Sequence, residues 1–291
     1  MSNLITPYVL IGILGEIIVS VYPFLIKATT IDIPAHTFIR LSSYFAISSV
    51  FANYKLLSNI NPLKLLGLAL VNIAHILTSY YGFRLINPSL AQSIFYIYPF
   101  FNLLLNMIIL HYKVSYTKFI MLIPVVLSIY SIYKDNGDKH EGFINMSDRT
   151  KGILLIFLAA ITESLLYIFV KTTDLGNNPW TPVFATYGLA AILYGIYYLY
   201  NKRNELVETY NYNKKELLYV VLANMFIGSL GYGFRFLSIP KVEPVIFSML
   251  SYTGIFMAII YGLLFKLEIM SLRKIISLFV LFVSLIIFQK L

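Results

Sequence analysis

Ten apolar stretches run along the chain, at about 5–26, 35–52, 63–84, 89–110, 117–133, 152–170, 180–200, 216–235, 242–265 and 271–289. Each is apolar on all faces and too long for an alternating strand, so the pattern predicts helices rather than a β-barrel. A bilayer core of about 30 Å takes roughly 20 apolar residues per helix, which these stretches supply. The breaks between them have local causes. Asn59-Ile60-Asn61-Pro62, Asn87-Pro88 and Asn177-Asn178-Pro179 are turn formers that stop one helix and start the next. The most polar stretch, from Asp135-Asn136-Gly137-Asp138 to Ser147-Asp148-Arg149, falls near the middle. It divides the chain into a first unit (1–134), a linker (135–150) and a second unit (151–291). A second polar loop runs from Asn201 to Lys215.

The two units echo each other. Tyr81-Gly82-Phe83-Arg84 recurs as Tyr232-Gly233-Phe234-Arg235, each copy closing an apolar stretch. Gln92-Ser93-Ile94-Phe95 follows the first, and Pro244-Val245-Ile246-Phe247 follows the second with one residue inserted. Five helices is an odd number, so the second unit enters the bilayer from the opposite side. The expected fold is therefore an all-α membrane protein of ten transmembrane helices, arranged as two inverted five-helix repeats.

Composition supports lipid as the solvent. Of 291 residues, 59% are hydrophobic and only 12% charged, against about 25% charged in soluble domains. The mean hydropathy is +0.78. The net charge of +9 does not signal nucleic acid, because the basic residues are scattered between apolar runs. Cysteine is absent, which excludes disulfides and thiolate chemistry. The N-terminus lacks a basic start and a small-residue cleavage site, so the first stretch is expected to be a retained helix. Orientation is contested: with an inner N-terminus, eight Lys/Arg lie inside and thirteen outside, Arg40 left aside. The positive-inside rule then favours an outer N-terminus.

Candidate chemistry sits inside the apolar stretches. Glu16 lies near the middle of the first and Glu163 in the sixth, at matched places in the two units. A carboxylate at the bilayer centre costs about 2.5–3.5 kcal/mol on insertion scales, so the pair marks a proton or cation site, with pairing for packing as the alternative. Arg40, in the second stretch, is suited to neutralise a substrate carboxylate, to pair with Glu16, or to snorkel. Arg84 and Arg235 end their helices, where a cation meets the negative end of the dipole. Lys27 and Lys171 also end helices and read as interfacial. Asn72, His75 and Ser79 share a helical face. His75 is placed either to relay protons or bind substrate, or to be hydrogen-bonded between helices. Gln92, Tyr96 and Pro99 share a face of the fourth helix, and Pro244, Ser248 and Ser251 the corresponding face of the ninth. Asn224 matches them on the eighth. Polar groups facing lipid would be unsatisfied, so these faces should look inward.

The expected substrate-binding set is thus Glu16, Arg40, Asn72, His75, Gln92, Tyr96, Glu163, Asn224 and Ser248, with Glu16 and Glu163 as the proton-coupling groups. Ala191-x-x-x-Gly195 and Ser229-x-x-x-Gly233 are expected to permit close helix approach. Most of the 24 tyrosines and 22 phenylalanines are expected at the lipid face and the interfaces. No Walker A sequence, metal cluster or nucleophile elbow is present in the sequence, so no cofactor, no metal and no enzymatic activity are expected. His140 with Asp138 and Glu141 is the nearest approach to a catalytic cluster, and it reads as solvated linker.

With two five-helix halves, Phe38-Ile39-Arg40-Leu41, the Tyr-Gly-Phe-Arg helix ends leading to Tyr98-Pro99, and the turn Lys266-Leu267-Glu268-Ile269-Met270-Ser271, the chain resembles the ten-helix EamA-type members of the drug/metabolite transporter superfamily. Lys113-Val114-Ser115-Tyr116 lacks the acid of the corresponding turn in the first half. Ala160-Ile161-Thr162-Glu163 followed by Lys171 is also similar to the first helix of the small multidrug resistance proteins, whose single membrane Glu is shared between protons and cationic drugs. Gly12-Ile13-Leu14-Gly15-Glu16 is similar, with Lys27 three residues late. The resemblance implies a central cavity, alternating access, cytoplasmic termini and solutes among amino acids, amines, metabolites and drugs. The expected partners are a small-molecule substrate and the bilayer, with a monomer or homodimer in the plasma or inner membrane.

Overall fold

The computed structural model describes residues 6–86, 88–113, 115–120, 122–137, 146–265 and 271–290. The Lys266–Met270 part of the acidic turn and the Asp138, His140, Glu141 group lie outside them. Among the described residues every regular element is a helix. The first half comprises α1 (Pro7–Val19), α2 (Tyr22–Ala28), α3 (Ile33–Phe51), α4 (Tyr54–Leu57), α5 (Pro62–Leu85), α6 (Pro88–Phe95), α7 (Tyr98–Ile109), α8 (Tyr116–Ile120) and α9 (Leu122–Gly137). The second comprises α10 (Met146–Thr172), α11 (Trp180–Asn201), α12 (Arg203–Tyr212), α13 (Lys214–Leu222), a π-turn (Ala223–Gly228), α14 (Ser229–Ser238), α15 (Pro244–Ser251), α16 (Thr253–Leu264) and α17 (Leu272–Lys290).

Among the described residues, seven helical runs are long and apolar enough to cross a membrane: Pro7–Ala28, Pro62–Leu85, Leu90–Ile109, Ser147–Thr172, Trp180–Asn201, Lys214–Ser238 and Pro244–Leu264. α3 packs among them but is less apolar, because it carries His36, Thr37, Arg40 and four serines. Several runs are broken near their middles. Pro23 opens α2 and Pro99 opens α7. Proline supplies no backbone N–H, so each marks the point where the ladder is interrupted.

The core is the interface between the halves. The heaviest packing pairs α5 with α10, α3 with α11, and α1 with α14. Exchanging the halves maps α5–α10 onto α14–α1 and leaves α3–α11 in place, which is the contact pattern of a two-fold pseudo-symmetric inverted repeat. Glycine makes the two symmetry-related crossings possible. A Cβ on Gly82 would lie 3.2 Å from the Gly152 carbonyl, and a Cβ on Gly15 would lie 2.9 Å from the Gly231 carbonyl. The small-residue pairs expected to do this work do not. A Cβ on Gly233 would meet Pro179 at 3.6 Å, and one on Gly195 would meet Phe38 at 3.5 Å, which are ordinary contacts.

Large apolar side chains such as Leu10, Leu14, Leu70, Ile108, Leu154 and Ile196 are exposed, as a lipid-facing belt requires. Tyrosine departs from the expectation. Tyr44, Tyr80, Tyr96, Tyr98, Tyr187, Tyr198, Tyr232 and Tyr252 are among the largest fully buried side chains. The hydroxyls of Tyr44, Tyr80, Tyr98 and Tyr187 serve polar groups inside the bundle, which phenylalanine would leave unsatisfied.

Candidate functional site

Two buried clusters occupy the centre, and they share Tyr232. The first is ionic. Arg235 on α14 sits between the two acids predicted from the sequence. Its Nε donates to Glu16 Oε1 at 2.7 Å, and its Nη1 reaches Glu163 Oε1 at 2.5 Å. All three residues are at most 3% exposed, so no solvent screens the bridge. Tyr98 adds a second layer: its hydroxyl lies 3.1 Å from both Glu16 oxygens and accepts from Arg235 Nη2 at 3.1 Å. Ser251 donates to Glu16 Oε1 at 3.3 Å. Glu163 is less served. Its Oε2 receives no hydrogen bond among the described residues, although His75 Nε2 stands 3.2 Å away. His75 Nδ1 faces the Ala159 carbonyl at 3.1 Å. The first half thus supplies Glu16, His75 and Tyr98, and the second half Glu163, Arg235 and Ser251.

The second cluster surrounds Arg40. Its guanidinium carbon lies 4.6, 5.3, 5.5, 5.7 and 4.9 Å from the rings of Tyr22, Tyr44, Tyr80, Tyr187 and Tyr232. Such ring faces attract a cation. Arg40 donates to the hydroxyls of Tyr80 (3.2 Å) and Tyr187 (2.9 Å). Among the described residues no carboxylate lies within salt-bridge distance of it, and its Nε has no hydrogen-bond partner. Arg40 therefore neither pairs with Glu16 nor snorkels; it is 2% exposed. Asn224 joins this cluster, accepting from Tyr22 at 2.8 Å while its Nδ2 donates to the Val220 carbonyl within the widened π-turn region.

A void of about 20 Å³ lies between the clusters, lined by Arg40, His75, Ser79, Gln92 and Tyr232 among others. That is room for little more than one water. Gln92 Oε1, which is buried there, has no hydrogen-bond partner among the described residues. Larger spaces lie away from the acids. One of about 450 Å³ is lined by Lys171, Asp174, Asn178 and Lys241, and an apolar one of about 440 Å³ by Phe24, Lys27 and Phe265.

The structure brings Glu16, Glu163 and His75 into one cluster, Arg40 and Asn224 into the other, and Gln92 onto the void. The other three predicted residues lie outside both clusters and do not line the void. Asn72 donates to the Thr186 carbonyl at 2.9 Å and ties α5 to α11. Tyr96 packs on Phe95 and Tyr98 and reaches the void only through its hydrogen bond with Gln92. Ser248 is buried, and its hydroxyl has no hydrogen-bond partner among the described residues. Arg235, Tyr98 and Tyr232 were not among the expected residues. The sequence places Arg235 at a helix end, but α14 continues past it to Ser238. The available signal was charge: two buried acids demand a cation nearby, and Arg235 is one of few arginines inside an apolar stretch.

Fold and site together define an integral, multi-pass membrane protein built around a buried ionic centre. The chain belongs to the EamA-like transporter family, whose sequence pattern matches residues 6–134 and 150–289. This is a family of membrane transporters rather than enzymes. A solved crystal structure, described only as that of a protein, shares the fold: TM-score 0.69 at 12% identity, covering 96% of this chain and 94% of that one. No curated protein matches in sequence.

Proposed function

We propose that this protein is a secondary active transporter, an exporter of a small organic solute such as an amino acid, an amine or a related metabolite. It works by alternating access in the cell membrane. The observation that carries the reading is the Glu16–Arg235–Glu163 bridge across the interface of the two halves. Two carboxylates against one guanidinium leave one negative charge. A proton or a cationic group on the solute neutralises it, and the two replace each other as the halves rock. Burial makes that exchange matter, since an unneutralised charge there is expensive.

The test uses purified protein in liposomes under an imposed pH gradient, with a solute found by a thermal-shift screen of amino acids, polyamines, nucleotides and quaternary amines. Wild-type flux should follow the gradient, and the double variant Glu16→Gln, Glu163→Gln should lose that response. A double variant that follows the gradient normally would rule out proton coupling through these acids. An organic-cation efflux transporter is the reading next in line and fits the same negative charge. The unpaired Arg40 favours instead a carrier of anionic solutes; Arg40→Glu would abolish anion transport and spare a cation carrier.

A further inference from the structure

We infer that a water-filled seam between α7, α10 and α15 carries protons between Glu16 and the face of the protein that holds Glu243 and Lys171. The inference rests on the proton-coupled transporter reading and gives its proton a route.

Helical spacing lays out the seam. Tyr98, Asn102 and Asn106 recur every fourth residue on α7, and Glu163, Tyr167 and Lys171 do so on α10. Ser248 and Ser251 are one turn apart on α15, so each set shares one face. At the inner end the Tyr98 hydroxyl lies 3.1 Å from both Glu16 oxygens, and Ser251 donates to Glu16 Oε1 at 3.3 Å. Ser164 on α10 donates to the Tyr98 carbonyl at 2.9 Å, which fixes α10 against α7. Midway, the Tyr167 hydroxyl stands beside the Asn106 side chain, short of hydrogen-bond geometry. The Tyr167 ring packs on Phe247 of α15, with centroids 5.4 Å apart. At the outer end Lys171 donates to the Val242 carbonyl at 2.8 Å. Tyr112, whose N–H donates to the Asn106 carbonyl at 3.2 Å, bonds there to the exposed Glu243. Lys171 also lines the space of about 450 Å³ beside the exposed Asp174 and Lys241, so the outer end adjoins water.

Hydrogen-bonding capacity says what fills the seam. Asn102 Nδ2 and Oδ1, Asn106 Oδ1 and the hydroxyls of Tyr167 and Ser248 are buried, with no hydrogen-bond partner among the described residues. Polar atoms left alone at bilayer depth are costly, so their concentration in one seam marks a partner from outside the chain. An amide nitrogen donates, an amide oxygen accepts, and a hydroxyl does both. A bare cation would use the acceptors alone, and an anion the donors alone. Water uses all of them, and a buried water typically holds about three such bonds. A file of waters passes a proton by hopping. Each water receives one proton and hands one on, and the Glu16 carboxylate binds the last. The ionisable groups set against Glu16 are Arg235 from α14, Glu163 from α10, Tyr98 from α7 and Tyr96 just before it. Glu16 is the acid bonded to Tyr98 and Ser251 at the seam, whereas Glu163 faces Arg235 and His75. The seam is also one-sided. α16, which repeats α7 in the second half, contains neither asparagine nor glutamine, so no matching amide column leads to the opposite face.

The test has two readouts that need no solute. In the first, X-ray pulses convert bound water to hydroxyl radicals in the purified protein, and mass spectrometry finds the side chains they modify. Tyr167 should react about tenfold faster than Tyr198, which is equally enclosed but packs on Phe38. In the second, a pH jump is followed by the infrared carboxyl band that Glu16→Gln removes. Asn102→Leu should slow the appearance of that band by about tenfold and leave its final size unchanged. Asn102→Ser, which stays polar, should restore the rate. A residue that only packs would not separate rate from end-point in this way. Ser248→Ala removes one hydroxyl and should slow the band in the same sense; it decides the matter if Asn102→Leu does not fold. The inference is overturned if Tyr167 reacts no faster than Tyr198, if both variants fill Glu16 as fast as the wild type, or if Glu16 takes up no proton. Solute flux that follows an imposed pH gradient in a protein with a dry seam would refute the route and leave proton coupling standing. A wet seam that fills Glu16 in a protein whose flux ignores the gradient would do the reverse.

Discussion

The two copies of Tyr-Gly-Phe-Arg have the same sequence and opposite fates. In the first, Tyr81 is 41% exposed and Arg84 reaches the Ile31 carbonyl at 2.9 Å, at the rim. In the second, Tyr232 is 2% exposed between two guanidinium groups, and Arg235 bridges the central acids. Helix context makes the difference. α5 stops one residue after Arg84, at Leu85, whereas α14 runs three residues past Arg235 to Ser238. The π-turn at Ala223–Gly228 also precedes the second copy. A π-turn inserts about one extra residue per turn and redirects every side chain beyond it. The glycines record that rotation: Gly82 packs at the α5–α10 crossing, but its counterpart crossing uses Gly231 rather than Gly233. A four-residue identity therefore fixes neither depth nor direction.

The largest separation between the copies should come from the arginines. Arg235→Gln strips the counter-charge from two buried carboxylates, and breaking such a pair costs about 3–5 kcal/mol. Arg84→Gln removes a hydrogen bond from a half-buried rim residue and should cost about 1 kcal/mol. Unfolding both variants in the same detergent measures the gap. Equal losses would mean that Arg235 is no more central than Arg84.

Much of this centre was legible in the sequence, for a stated reason. Glu16, Glu163, Arg40 and His75 are costly in an apolar run, and the cost forces them inward whatever the detailed geometry. The all-helical fold and its two halves follow from the same apolar pattern; of the ten expected spans, seven are long and apolar enough among the described residues. Three things were not legible. Arg235 lay at the edge of its apolar stretch, and only the continuation of α14 brings it to depth. The tyrosines carry both an apolar ring and a hydroxyl, so composition alone sends them to the interface, whereas Arg40 draws five of them inside. Tertiary packing, and not local spacing, decided which glycines mark the crossings.

The glycines sharpen the comparison at intermediate magnitude. Gly15→Ala places a methyl 2.9 Å from two backbone atoms, Arg235 N and Gly231 O, which cannot turn aside. α1 must move off α14, and overpacking of this kind costs about 1–3 kcal/mol. Because the clash is with the backbone of Arg235 itself, the Glu16 bridge should loosen as well. Gly233→Ala has room, and it should be neutral or stabilising by up to about 1 kcal/mol through helix propensity. Unfolding midpoints decide between the two. A tolerated Gly15→Ala would show that the crossing is wider than described.

The smallest effect concerns one oxygen. Tyr22 donates to Asn224 Oδ1 at 2.8 Å inside the Arg40 cluster, whereas the Tyr81 side chain is exposed. Tyr22→Phe keeps the ring that faces Arg40 and removes only the hydroxyl, which also bonds the Tyr44 hydroxyl, leaving a buried acceptor on Asn224 unsatisfied. The loss should be about 1 kcal/mol, toward the lower end for an orphaned buried group because Asn224 retains its bond to Val220. Tyr81→Phe changes an exposed hydroxyl and should stay within about 0.5 kcal/mol. The double variant Tyr22→Phe, Asn224→Ala supplies the decisive arm. If the hydroxyl acts through Asn224, the double variant should lose less than the two single losses combined, by about the strength of one hydrogen bond. Strict additivity would show that the π-turn asparagine and the tyrosine box are independent, and that the second half's helix irregularity is not coupled to Arg40.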